Sequence, residues 1–241
     1  MVWIAVFLAA AAAGTIQSIT GFGAAVMMML VVPHFFDMVR APGLVSTICL
    51  GLGVALLWRF RKHVEWKVTL PVAAAYVVLS TLAIRMVGSV DLKVLAIAFS
   101  IFLILLSLYY QFGESRVTLK PNLTTALVCG TAAGITGGLF GIGGPLVVLY
   151  FLPAAKTKES YVANLQLLFT ITNLSGLAAR VWTGIYTIDL LPMTLVGVLG
   201  INLGKMAGLR VLDKLDIDRM RRIVYVFVGI AGVVNLVSNL L

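Results

Sequence analysis

The stretch 134–145, Gly-Ile-Thr-Gly-Gly-Leu-Phe-Gly-Ile-Gly-Gly-Pro, sets six glycines in twelve residues between apolar runs at 123–133 and 146–152. A partner lies 120 residues earlier, where Gly14, Gly21, Gly23 and Pro33 take the offsets of Gly134, Gly141, Gly143 and Pro153. Coincidence of glycine and proline at one fixed spacing indicates an internal duplication. The chain is read as two copies of one unit.

Composition says where such a unit lives. Of the 241 residues, 61% are hydrophobic and 11% charged, against about 45–50% and 25% in soluble domains. Mean hydropathy is +1.08. These values specify an integral membrane protein, so the lipid bilayer is the first partner. A net charge of +9 would suggest nucleic acid in a soluble chain. Here the Lys and Arg residues fall mostly between apolar runs, as topology signals do, and no nucleic-acid partner is expected. Cys49 and Cys129 lie inside apolar runs and read as small buried thiols. No disulfide framework, metal site or cofactor is implied. Residues 1–14 end like a signal peptide but lack its basic start. They also match 123–134, so they are expected to belong to the mature fold.

The first repeat is assigned to 1–112, with a broken segment at 3–32 and spans at 41–58, 70–86 and 94–110. The second covers 121–241, with a broken segment at 123–152 and spans at 160–179, 190–207 and 223–240. The spans approach the ~20 residues needed to cross a bilayer. A polar linker at 111–121 joins the halves, forming one membrane domain. Gly200, Gly204 and Gly208, four apart, suit close helix packing. Each broken segment either crosses once or enters halfway and returns. Re-entrant hairpins divide the 18 basic residues 14 to 4, with only Arg40, Arg85, Lys93 and Arg180 on the minority face. Single crossings divide them 11 to 7. The larger asymmetry favours re-entrant hairpins, inverted repeats and two non-cytoplasmic termini. The fold class expected is therefore all-α membrane protein, each repeat a broken glycine-rich hairpin followed by three transmembrane helices.

Irregular glycine-rich backbone at membrane depth survives only where protein or a wet cavity satisfies it. Two symmetric breaks would meet near the midplane, where repeat-built transporters hold substrate. A half-helix restarts after each break, near Ala24 and near Pro145, and Pro145 suits a first helical turn. Free N–H groups at such starts attract anions, and glycines let successive N–H groups converge. Gln17, Ser18, Thr20 and Thr136 add neutral donors beside Gly21, Gly23, Gly137, Gly138, Gly141, Gly143 and Gly144. Gln166 and Asn173, seven apart, share a helix face and complete the candidate binding set, with interhelical hydrogen bonding as their other reading. All nine acids fall in loops or at span ends, whereas a cation path would leave a carboxylate in the bundle. His34 and His63 lie in loops, the glycine stretch lacks a P-loop's GK[ST] ending, and no catalytic residue or enzyme activity is expected.

The runs Gly-Thr-Ala-Ala-Gly at 130–134 and Gly-Gly-Leu-Phe-Gly-Ile-Gly-Gly-Pro at 137–145 resemble the sulfite exporter TauE/SafE family, also called the toluene-sulfonate uptake permease family. Gly14, Gly21, Phe22 and Gly23 give a degenerate first-copy form, and the basic loop from Arg59 to Trp66 is similar to the family too. The resemblance spans nearly the whole chain. It implies transport of a small sulfur oxyanion or organosulfonate, such as sulfite or sulfoacetate. The first copy departs from the pattern, with Ala24-Ala25 where the second has Gly144-Pro145. Related thiosulfate carriers use cysteines, and Cys49 and Cys129 match no such pattern. The expectation is a secondary transporter in a bacterial inner membrane, its anion held at paired half-helix starts. A passive anion channel and a non-transporting scaffold subunit are the alternatives, and a homodimer is left open.

Overall fold

A computed structural model describes residues 1–113 and 119–211, with isolated helical positions between 226 and 237. The expected span 223–240 lies largely outside the described residues, and linker residues 114–118, with Arg116, and the basic residues Lys214, Arg219, Arg221 and Arg222 lie wholly outside them. Every regular element described is helical. In chain order these are α1 (Val2–Thr20), α2 (Ala24–Met29), α3 (Ala41–Phe60), α4 (Trp66–Val87), α5 (Leu92–Leu108), α6 (Leu123–Phe140), α7 (Gly144–Ala154), α8 (Lys158–Trp182) and α9 (Leu191–Val211). Among the described residues seven helical stretches are long and apolar enough to cross a membrane, and those at α2 and α7 are shorter.

The helix starts are written in local chemistry. Asn122 and Thr157 each form a reciprocal capping box with the residue three positions on, Thr125 and Ser160. Asp91 caps α5 by accepting from the N–H groups of Lys93 and Val94. The outer faces carry Leu8, Leu127, Val128, Leu195, Leu199 and Leu203, all exposed. Lipid tails are as apolar as leucine, so these side chains need no protein cover. Close backbone packing and polar contacts must hold the interior together instead.

Glycine ladders provide that packing. On α6, Gly130, Gly134 and Gly138 face Val72, Tyr76 and Ser80 of α4, and an added Cβ would lie 2.7 Å from each facing carbonyl oxygen. On α9, Gly200, Gly204 and Gly208 face Phe7, Ala11 and Thr15 of α1 in the same manner. The Thr15 hydroxyl donates to the Gly204 carbonyl at 3.0 Å. Residue numbers rise together across both seams, so α6 runs parallel to α4 and α1 parallel to α9. In contrast, α3 and α8 are antiparallel: Gly43 lies by Arg180, and Gly53 by Thr170. Helix α1 thus packs on α9, and α6 on α4.

Candidate functional site

Both breaks depend on backbone that favours glycine. Gly21 (φ +84°) ends α1, Gly23 (φ +101°) precedes α2, and Gly141 (φ +70°) ends α6. Left-handed backbone costs a side-chain-bearing residue roughly 1–2 kcal/mol. Gly143 differs, for its φ is −116°. Its constraint is space: an added Cβ would lie 2.5 Å from the Tyr76 hydroxyl oxygen and 2.7 Å from the Ala133 carbonyl.

Between the breaks lies a cavity of about 30 Å³, room for one or two waters. Gln17 and Gly23 line it from the first break, and Gly141, Gly143, Gly144 and Pro145 from the second. Tyr76 of α4 and Thr172 and Asn173 of α8 close its sides. None of the described acids reaches it. The N–H groups of Gly143 and Gly144 donate to no described backbone or side-chain acceptor. They stand at the start of the eleven-residue α7, the positive end of its dipole. Tyr110 braces this turn by donating its hydroxyl to the Pro145 carbonyl at 3.0 Å. The arrangement can receive a small anion through backbone donors, with neutral side chains around it.

The first break is held differently. Gln17 Oε1 accepts from the Ala24 N–H at 3.2 Å, which occupies the leading donor of α2. Gln17 Nε2 donates to Gln166 Oε1 at 3.3 Å, and Gln166 Nε2 donates to the Gly21 carbonyl at 2.9 Å. Both glutamines are buried. Gln166 therefore ties α8 to the first break and does not line the cavity, whereas Asn173 does.

The remaining candidates serve their own helices. The Ser18 hydroxyl donates to the Gly14 carbonyl, and that of Thr136 to the Ala132 and Ala133 carbonyls. Thr20 donates to the Ile16 and Phe22 carbonyls. Such back-bonding is the common habit of hydroxyl residues inside helices. Thr20 also borders a wider cavity of about 390 Å³ with Lys156, Lys158 and Tyr161. Ser18 borders a third, of about 170 Å³, beside Lys158 and Glu159. Gly137 and Gly138 pack on Tyr76 and Ser80. Their carbonyls accept from the guanidinium of Arg180, which is buried inside α8. Sequence reasoning missed Tyr76, Thr172 and the inward turn of Arg180. Thr172 stands among several polar residues of its span, Asn164, Gln166, Thr170, Asn173 and Ser175, with nothing to mark it out, and Tyr76 is one aromatic residue in a mostly apolar span.

A family model described as Sulfite exporter TauE/SafE matches residues 6–235. A probable membrane transporter protein of Methanocaldococcus jannaschii is 23% identical over 239 residues, which cover 91% of this chain and 90% of that protein. A probable sulfite/organosulfonate exporter TauE of Cupriavidus necator is 26% identical over 183 residues, 71% of this chain and 70% of its own length. No solved structure matches the chain.

Proposed function

Because the chain belongs to the sulfite exporter TauE/SafE family, we propose that it is a secondary transporter moving a small sulfur oxyanion or organosulfonate across the cytoplasmic membrane. The observation that carries this reading is the second break. There Gly143 and Gly144, whose N–H groups donate to no described acceptor, line a cavity with Gln17, Tyr76, Thr172 and Asn173. Backbone donors and neutral side chains select an anion without charging a wall of the site. The cavity has room for one or two waters, too little for an organosulfonate, so entry of such a substrate requires the two breaks to part, as a carrier does and an open pore does not. The name of the Cupriavidus relative supports sulfite or an organosulfonate as the substrate class. Purified protein screened with sulfite, sulfate, thiosulfate, sulfoacetate and taurine tests the reading. A sulfur anion at 100 times its Kd should add about 2.7 kcal/mol of stability. Stabilisation by none of them would favour a scaffold subunit.

The halves are read as inverted, each opening with a re-entrant hairpin. Support comes from direction: α3 and α8 are equivalent by duplication yet antiparallel, which a twofold axis in the membrane plane produces. The 14-to-4 division of basic residues agrees. Single cysteines at Lys62, Lys120 and Lys158 should then resist an impermeant reagent applied outside, while Lys93→Cys should react. The native Cys49 and Cys129 are buried and give a low background. Labelling of Lys158→Cys and Lys93→Cys from one side would replace the hairpins with single crossings.

A further inference from the structure

Arg180 is 3% exposed, and its described hydrogen bonds all go to carbonyl oxygens: Gly138 at 2.9 Å and Gly137 and Gly176 at 3.5 Å. Neither described ion pair includes it, since those join Arg40 to Asp189 and Lys156 to Glu65. A buried cation without a counter-charge is costly, so its position carries information. Gly137 and Gly138 belong to the last turn of α6, the negative end of that helix. Across the break stands the positive end of α7. The two ends carry partial charges of about half a unit each and would largely cancel at the cavity. The guanidinium adds a full unit beside the negative end and leaves the break net positive. At the first break, among the described residues, no charged side chain bonds the carbonyl end of α1. There the Gly21 carbonyl accepts from the neutral Gln166 amide, and Gln17 occupies the Ala24 N–H.

We propose that Arg180 is a positioning residue that makes the second break net positive, and so sets a preference for doubly over singly charged anions. This rests on the transport reading above, and it assigns that reading an electrostatic source. The guanidinium works through the α6 carbonyl end and need not touch the substrate.

The test compares two probes on purified full-length protein in nanodiscs: sulfite at mildly alkaline pH, a dianion, and methanesulfonate, a monoanion of similar size. A unit charge ~10 Å from the ligand, at an effective dielectric of ~20, is worth about tenfold in affinity per ligand charge. Wild type should therefore prefer sulfite by about tenfold or more. Arg180→Gln should weaken methanesulfonate about tenfold and sulfite about a hundredfold, collapsing the preference. Arg180→Lys should retain it. Equal weakening of both probes in Arg180→Gln, or no weakening, would overturn the proposal, because a merely structural residue does not sense ligand charge. Should Arg180→Gln fail to insert, the other two proteins decide. A preference present in wild type and kept in Arg180→Lys supports the proposal; equal affinities in wild type, or loss of the preference in Arg180→Lys, overturn it. Wild type that binds neither probe would instead sink the transport reading itself.

Discussion

Gly143→Val is expected to reduce sulfite transport, counted per inserted molecule, below detection. Valine accepts a φ of −116°, so backbone strain is not the cause. The cause is crowding, for the new Cβ meets the Tyr76 hydroxyl oxygen at 2.5 Å and the Ala133 carbonyl at 2.7 Å. Tyr76 must swing away, and the added methyl groups occupy the cavity of about 30 Å³ that the breaks enclose. Thr136→Ala is the paired control. Its hydroxyl bonds only carbonyls of its own helix, and its loss should leave transport within about twofold, under 0.5 kcal/mol, below a typical hydrogen-bond contribution. Transport per inserted molecule in proteoliposomes reads both. An active Gly143→Val beside an inactive Thr136→Ala would move the site from backbone to side chains.

Gly204→Val should fail earlier, at assembly. Gly204 meets the Ala11 backbone so closely that no Cβ fits. The side chain can therefore be admitted only by separating α1 from α9. That seam also carries the Thr15 hydrogen bond to the Gly204 carbonyl. Overpacking against backbone, which cannot rotate aside, places the loss at about 3 kcal/mol or more. Gly88→Ala should be neutral, since nothing lies within 4 Å of its added Cβ. Unfolding in mixed detergent micelles would separate the two variants. Equal stability of Gly204→Val and wild type would remove the ladder from the account of how the halves are held together.

What the sequence disclosed follows from how strictly each feature is dictated. An all-helical membrane protein was legible because apolar length and the bilayer allow little else. The breaks were legible because left-handed positions such as Gly21, Gly23 and Gly141 favour glycine. The spacing of Gly200, Gly204 and Gly208 announced a packing seam, though not that α1 was its partner. Side-chain direction was not legible. Ser18, Thr20 and Thr136 sit beside the breaks in sequence, yet each hydroxyl is taken by a nearby carbonyl. Tyr76 looks like any aromatic residue of a span, and only the meeting of α4 with α6 brings its phenol to the cavity. Arg180 follows an expected span that stops at 179, where an arginine ordinarily reaches for water. The helix instead runs to Trp182, and the guanidinium turns under the end of α6.

The carrier reading meets its most direct test in counterflow. Proteoliposomes preloaded with unlabelled sulfite and diluted into labelled sulfite should accumulate label transiently above the outside concentration. An alternating site exchanges the two pools before the gradient runs down. Accumulation that appears in wild type and is lost in Gly143→Val is the predicted result. Label that only equilibrates, never exceeding the outside concentration, would contradict a carrier and leave a passive pore.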